Sequence, residues 1–499
     1  MTIELCEPDV LVAGAGPAGI SAALAAASSG LSVVLTDEQS RAGGQVYRAP
    51  AVTNRTGAAQ AGSGGDQAIG DALRARLAES TVQTAFEESI WMASPEPEVG
   101  AVRGQHGIRY RPKALIVATG AHERVLPVEG WTLPGVIGLA GATVLLKSQS
   151  VLPGSATVVA GSGPLVYAVA AGILKLGGRV PAVVDSSARR DWLRALPSLI
   201  GRCDLLGRGA YWMSRIRAAG TKIYWRHAIT AVYGEGKVSG VAIRPLDAAG
   251  RPRSVATETH LAADAVAMGQ GLIPNTEILR LLGADHYFDP LAQSFVVDRD
   301  ADLRTSLSRV FAAGDGAAIH GAAAAELEGC LAGMAVAHDL GAMQPDDYDR
   351  RAGALRRRLA RARRFGRAMV RLMTPPQALI AVSGKSTVVC RCEDVSRGQI
   401  EDAIDDGAFD LNQLKSWTRC GMGPCQGRIC SDAVARILVE QRAPGVAPRP
   451  WTVQVPIRPV HLEALTGAYT YDDILADIPE PAPWDSEVAR VAAAVVDDE

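Results

Sequence analysis

The chain begins with an apolar run, Val10-Leu11-Val12-Ala13, broken by Gly14-Ala15-Gly16 before an alanine-rich stretch and a second apolar run ending at Thr36. Short unbroken apolar runs flanking a glycine turn and a helix predict a β-α-β unit. Its strands are placed at Asp9–Ala13 and Leu31–Thr36, and its helix at Ala18–Ser29. The pattern recurs with a strand at Ala156–Ala160, a turn at Gly161 and Gly163, a helix to Leu176 and a strand at Val180–Val184, so that Gly161 stands 147 residues after Gly14. Ala114–Val117 predicts a buried strand, residues 261–275 a strand and turn, and Val310–Asp315 a last strand followed by an alanine-rich helix. The Gly/Ser/Ala-rich residues 51–70 predict a mobile loop. Ten arginines between Arg350 and Arg371 predict a basic, mostly helical linker. A solvated face bridging two domains is favoured for it over a docking surface for an acidic partner chain.

Composition narrows the class. Of 499 residues, 48% are hydrophobic and 21% charged, with a net charge of −2, so no overall field recruits nucleic acid or an anionic membrane. No uncharged apolar run reaches about 18 residues, so no transmembrane segment is expected. The start of the chain carries no secretory leader pattern, which implies a cytoplasmic location. The reducing poise there argues against disulfides among the eight cysteines.

Gly14-Ala15-Gly16-Pro17-Ala18-Gly19 follows a strand and opens a helix, the setting in which G-x-G-x-x-G binds a dinucleotide. The glycines permit the tight turn, approach to the pyrophosphate and close helix–strand packing, and the helix N-terminus offers free N–H groups. Asp37, with Glu38 as its neighbour, stands where a ribose-binding carboxylate is needed. Arg41-Ala42-Gly43-Gly44-Gln45 places a glycine pair just past that acid, which selects FAD over NAD in flavoproteins with two dinucleotide domains. Ala118-Thr119-Gly120 and Gly314-Asp315 complete the expected FAD site, Asp315 as a ribityl ligand. His122-Glu123 is the titratable pair nearest that flavin, assigned to the loop rather than to chemistry. No residue is identified as catalytic.

The second unit keeps Gly161 and Gly163, but Val166 replaces the third glycine and Asp185 comes one place late. These departures argue against NAD(P) binding while leaving the fold intact. The chain also has no C-x-x-C dithiol, so flavin electrons need another route.

Cys390-Arg391-Cys392 and Cys420-Gly421-Met422-Gly423-Pro424-Cys425 give C-x-C and C-x4-C motifs in a glycine-rich setting. Four cysteines so placed favour a 2Fe-2S cluster, with structural zinc as the competitor. Cys6, Cys203 and Cys330 are scattered, and Cys430 is a spare thiol or a core residue.

Together these motifs, with Gly130-Trp131-Thr132-Leu133-Pro134-Gly135-Val136, Gly269–Asn275 and Cys425-Gln426-Gly427-Arg428, resemble the A or alpha subunits of heteromeric FAD-dependent amino- and imino-acid dehydrogenases. That family includes the opine oxidase, hydrogen cyanide synthase and hydroxyproline dehydrogenase subunits. The cysteine segment is similar to bacterioferritin-associated-ferredoxin-like 2Fe-2S domains. The resemblance implies an electron-transfer subunit whose substrate is oxidised in an oxidase-like FAD beta subunit. It also implies room for a small ferredoxin-like gamma subunit, for an FMN at a subunit interface, and for peripheral association with the inner membrane through the complex. A stand-alone NAD(P)H-dependent ferredoxin-type reductase is the alternative. A regulatory subunit with dead cofactor sites is a third reading.

The expected fold is α/β, a two-dinucleotide-binding-domain flavoprotein of the pyridine nucleotide-disulfide reductase type with a small C-terminal 2Fe-2S domain. Its expected parts are residues 1–123 and 261–343 for FAD, 124–260 for the inserted second unit, and 344–384 for the basic linker. Residues 385–446 form the cluster domain and 447–499 an extended arm.

Overall fold

The computed structural model of the chain describes residues 4–50, 64–96, 98–199, 203–442 and 449–466. Two five-stranded parallel sheets organise them. The first runs, edge to edge, Val310–Ala312, Ala114–Val117, Val10–Ala13, Val33–Asp37 and Gln83–Phe86. Every residue of Val10–Ala13 and Ala114–Val117 is buried, which is why these strands read as unbroken apolar runs rather than alternating ones. Val10 and Val12 face the helices Pro17–Ala27 and Ala322–Asp339, while Leu11 and Ala13 face the opposite core with Ile90, Val99 and Tyr110. The latter three belong to a four-stranded sheet of Glu4–Cys6, His106–Tyr110, Glu98–Arg103 and Ser89–Ser94.

The second parallel sheet runs Val136–Gly138, Ala265–Gly269, Thr157–Gly161, Ala182–Asp185 and Lys222–Trp225. Helix Pro164–Lys175 covers one face, and the antiparallel strands His227–Tyr233, Gly240–Pro245 and Thr259–Ala262 contribute to the core on the other. The chain leaves the first half through Ala121–Glu123 and returns through Leu272–Pro274. These two segments pair antiparallel, with His122 opposite Ile273. This ribbon joins the halves at the mouth of the first glycine loop.

The basic stretch forms one helix, Pro345–Met373. It buries Tyr348, Ala352, Leu359, Val370 and Leu372, and turns Arg357, Arg358, Arg361, Arg364 and Arg371 outward. Two of its arginines reach inward, Arg356 to Asp302 and Arg363 to Glu328. Beyond it lie a short hairpin, Val388–Cys390 with Val395–Ser396, and helices Arg397–Asp405, Leu411–Thr418 and Ser431–Arg442. Ser396 and Gln399 form a reciprocal capping box that fixes where the first of these helices begins. The core of this unit runs on into that of the second parallel sheet, and Trp131 Nε1 donates to the Val388 carbonyl at 2.7 Å.

One expectation changes. Residues 51–63 of the predicted mobile loop lie outside the described residues, but residues 64–70 are helical, within Gly64–Ala78. Leu73 and Leu77, one turn apart, are buried and hold that helix to the first core. In the described part of the arm, residues 449–466, Trp451 is buried and its Nε1 donates to the Leu411 carbonyl at 2.6 Å.

Candidate functional site

Gly14, Gly16, Pro17, Ala18, Asp37, Glu38, Gly44, Gln45, Ala118, Thr119, Gly120 and Asp315 line one cavity of about 1100 Å³. The helix Pro17–Ala27 opens against it with no side-chain cap at Gly16, so its first N–H groups are free for an anionic ligand. Gly19 stands behind the loop. A Cβ there would sit 1.7 Å from the Gly14 carbonyl oxygen, so only glycine lets helix and strand close. Gly43 and Gly314 also support the wall from behind, through Gly43 N–H to the Ala15 carbonyl at 2.8 Å and through packing of Gly314 on Ala18. Arg41 is not brought to the cavity; its guanidinium is exposed and donates to the Pro50 carbonyl at 3.3 Å.

Asp37 braces the loop. Its carboxylate accepts the Ala15 N–H at 2.6 Å and the Gln39 N–H at 2.7 Å, and burial pushes its pKa up. Its neighbour Glu38 is exposed and pairs with Arg458 at 2.5 Å. Asp315 accepts the N–H groups of His320 and Gly321, both at 2.8 Å. Behind it, the buried Glu328 takes the Gly314 N–H at 2.8 Å and binds Arg299 and Arg363. Burial alone would raise the Glu328 carboxyl, but these charges keep it well below the usual carboxylate range. A free helix N-terminus, the carboxylates of Asp37 and Asp315 on the cavity wall and a cavity of this size are a donor and acceptor set that would fit a flavin dinucleotide.

Past Gly120 the wall continues through His122 and Glu123. Burial lowers His122 to about 4, and neither ring nitrogen has a hydrogen-bond partner among the described residues. Burial raises Glu123 to about 7, although its carboxylate accepts the Ala140 N–H at 3.2 Å.

The second glycine loop is differently placed. Gly161 and Gly163 do not line the cavity, although Ser162 and Pro164 do. Met373, at the end of the basic helix, sits in the loop. A Cβ on Gly163, whose φ is +83°, would lie 2.4 Å from Met373 Cγ, and Ser162 Oγ donates to the Met373 carbonyl at 2.5 Å. Asp185 is fully buried and already occupied by Tyr167 at 2.5 Å, Ser187 at 2.6 Å and Trp192 at 3.3 Å. Its carboxylate points into the core, not toward a ribose.

The cysteines form two layers. Cys390, Cys420 and Cys430 are each 1% exposed or less, and their sulfurs lie within 4.8 Å of one another. Cys392 is exposed and Cys425 half-buried; the Cys425 N–H and thiol both approach the Cys392 sulfur. Hydrogen bonds from the Cys420 and Cys430 thiols hold Cys390 far below the usual thiol range. Convergence of thiols from both motifs fits a metal–sulfur centre. It also brings in Cys430, which sequence spacing left as a spare or core residue.

Several further residues take a place at the site through the tertiary structure. Glu277 lines the large cavity, and its Oε2 accepts Arg428 Nη2 at 2.5 Å and Arg458 Nη1 at 2.9 Å. Arg428 also donates to the Cys425 carbonyl at 3.1 Å, so one guanidinium spans from the cysteine loop to the cavity wall. A second, smaller cavity shares His122, Glu277 and Ile457 with the first and reaches Gln426, Gly427 and Arg428. Arg428 was within reach of sequence reading, since it follows the C-x4-C motif by three positions. Arg458, in the arm, carries no local signal. Lys147, Arg208 and Trp212 add a partly basic extension of the large cavity toward the second half.

Residues 8–337 match the Pyridine nucleotide-disulphide oxidoreductase family, and residues 388–440 match the BFD-like 2Fe-2S binding domain. The chain is 35% identical to the opine oxidase A subunit of Rhizobium meliloti over 91% of its length and 97% of that protein. It is 33% identical to the opine oxidase A subunit of Agrobacterium tumefaciens over 92% of its length and 91% of that protein. Hydrogen cyanide synthase subunit HcnB of Pseudomonas aeruginosa is 32% identical over 84% of this chain and 90% of that one. Among solved structures, L-proline dehydrogenase from P. horikoshii shares the fold at a TM-score of 0.67 and 20% identity, covering 93% of this chain and 81% of that one. The chain therefore belongs to the pyridine nucleotide-disulphide oxidoreductase family, as a flavin-binding redox protein with a BFD-like 2Fe-2S domain, alongside the opine oxidase A subunits and HcnB.

Proposed function

We propose that this chain is the electron-transfer subunit of a heteromeric dehydrogenase that oxidises a C–N bond of an amino acid, imino acid or opine in a partner flavoprotein subunit. FAD on the first glycine loop and a 2Fe-2S cluster on Cys390, Cys392, Cys420 and Cys425 supply conversion between two-electron and one-electron chemistry. The residues supply position. Asp37 and the helix N-terminus orient a diphosphate and ribose, Asp315 and Gly44 a ribityl chain, and Glu277 with Arg428 ties the flavin wall to the cluster loop. That tie is the observation that carries the reading, because it makes the two cofactor sites one unit.

The rival reading, a stand-alone NAD(P)H-dependent reductase, is disfavoured by Met373 in the second loop and by the inward Asp185. An FMN at a subunit interface would have to take Lys147 or Arg208 from Asp66, which lines the same extension and pairs with them at 3.8 and 2.8 Å. The names of the relatives describe subunits, which supports an oxidase-like FAD partner and leaves a small ferredoxin-like third chain open. Among the described residues no helix is long and apolar enough to cross a membrane. A cytoplasmic location, with membrane contact only through the complex, accords with that.

The test is affinity purification from the native cell followed by anaerobic reduction. Co-elution of a second flavoprotein, with flavin bleaching by an amino or imino acid and none by NADH or NADPH, is the expected result. Rapid bleaching of the isolated chain by NADH overturns the reading in favour of the rival.

A further inference from the structure

Ile457 and Arg458 of the C-terminal arm both line the large cavity. The Ile457 N–H donates to the Trp91 carbonyl at 2.9 Å, and its carbonyl accepts Arg428 Nη2 at 2.7 Å. Its side chain is 2% exposed, in the same core as Ile90 and Ile278, which line the cavity too. Arg458 Nε donates to Glu38 Oε1 at 2.5 Å, and its Nη1 donates to Glu277 Oε2 at 2.9 Å. Glu38 Oε2 makes no hydrogen bond among the described residues.

These contacts gather at one end of the cavity. In a strand–glycine–helix site the diphosphate takes the helix N-terminus, and the acid ending the second strand takes the adenosine ribose. That acid is Asp37, so the adenosine half belongs on the Asp37 side and the ribityl chain on the Asp315 side. The Asp37 carbonyl accepts the Glu88 N–H at 3.0 Å, which brings strand Ser89–Ser94, and with it Ile90, to the adenosine side. Both oxygens of the Asp37 carboxylate already accept backbone N–H groups, whereas a ribose offers two hydroxyls. Glu38 is the adjacent acceptor, with one oxygen held by Arg458 and the other unengaged. Three isoleucines and one fixed carboxylate suit a purine riboside, whose flat base buries against apolar faces while its hydroxyls need acceptors.

We propose that the arm completes the adenosine end of the dinucleotide site through Arg458, a positioning residue that aims the second oxygen of Glu38 at a ribose hydroxyl. The proposal rests on the FAD reading above, and flavin uptake by the wild type tests that reading separately.

The experiment strips the full-length chain of flavin and measures its affinity for FAD and for ADP-ribose. ADP-ribose carries the adenosine diphosphate half without the isoalloxazine ring and is read as a competitor of FAD. Wild type is compared with Glu38→Ala, Arg458→Met, Arg458→Lys and the double variant of Glu38→Ala with Arg458→Met. Arg458→Met is expected to weaken FAD and ADP-ribose by the same factor, about tenfold, the loss of one hydrogen bond to a charged group. Glu38→Ala should match it, the double variant should be no weaker than either single change, and Arg458→Lys should recover part of the loss. Unchanged FAD affinity in Arg458→Met overturns the proposal. So does a loss confined to FAD, a loss that Glu38→Ala does not share, or full additivity in the double variant, each of which would leave Arg458 a structural tie alone. A wild type that binds FAD but is not competed by ADP-ribose overturns it as well. If Arg458→Met does not fold, Glu38→Ala decides, since the Glu38 side chain is 44% exposed: weaker binding of both ligands supports the proposal, and unchanged binding overturns it. A wild type that carries no flavin as purified and takes up none removes the FAD reading instead.

Discussion

Arg428 Nη2 meets Glu277 Oε2 at 2.5 Å, with side chains only 17% and 9% exposed, at the boundary between the cysteine loop and the large cavity. The same carboxylate holds Arg458 from the C-terminal arm, and the same guanidinium holds the Cys425 carbonyl. Segments more than 150 residues apart in sequence thus share one charge cluster. Its members were buried together, so removing one strands the rest.

Burial lifts the Glu277 carboxyl to about 7, so Glu277→Gln is expected to cost most above that pH, up to about 3–5 kcal/mol, where it leaves buried guanidinium groups without their charge partner. In a double-mutant cycle, Glu277→Gln with Arg428→Met should cost less than the sum of the single changes by at least about 1 kcal/mol. Denaturant unfolding of the four proteins measures this, and strict additivity would show that the two side chains do not interact.

Glu123 offers a pH signature. Burial raises its folded-state pKa from the ordinary 4.5 to about 7, so the folded chain binds the extra proton between those values. By linkage, wild-type stability falls as pH rises through that window and levels off above it. Glu123→Gln cannot ionise, so its stability relative to wild type should climb between pH 4.5 and 7, by up to about 3 kcal/mol. A difference independent of pH would mean that the carboxyl is not desolvated.

His122 works in the opposite sense. Its pKa is lowered from 6.5 to about 4, so the folded chain resists protonation and stability falls as pH drops from 6.5 toward 4. His122→Phe should flatten that limb of the profile, measured as melting temperature against pH. An acid limb as steep as in wild type would assign it to other groups.

Gly19→Val copies into the first unit the residue found at Val166 of the second. Because even a Cβ would overlap the Gly14 carbonyl, the purified variant should carry at least about tenfold less flavin per chain, a loss of about 1.4 kcal/mol or more. Flavin released by heat denaturation and counted by fluorescence gives the answer. Wild-type occupancy in a folded variant would show that the loop does not set binding.

The chemistry of this chain was legible in sequence wherever local backbone geometry carries it. The strand–glycine–helix pattern located the first loop, Asp37 and Asp315, because phosphate approach and carboxylate placement are set within a few residues. The C-x-C and C-x4-C spacing put four thiols in one region, but it left out Cys430, whose sulfur lies with those of Cys390 and Cys420. Arg41 was misplaced because an arginine near a glycine pair has a long reach, and here it turns to Pro50. Residues 64–70 were read as loop because Gly64 and Gly65 outweighed the Leu73 and Leu77 period that follows. What sequence could not show is where distant segments land. Met373 in the second loop, Arg458 against Glu38 and Glu277, and Cys430 beneath Cys390 all depend on tertiary closure. The weakness of the second unit was visible at Val166 and Asp185, but the residue that fills it was not.

One chain holding a two-electron flavin and a one-electron cluster as a coupled pair is the central claim. An anaerobic reductive titration of the purified full-length chain, followed by visible absorbance and electron paramagnetic resonance, tests it most directly. Uptake of about three electrons per chain, two at the flavin and one at the cluster, is the predicted result. An end point at two electrons with no paramagnetic cluster signal, or zinc in place of iron on the cysteines, would contradict it.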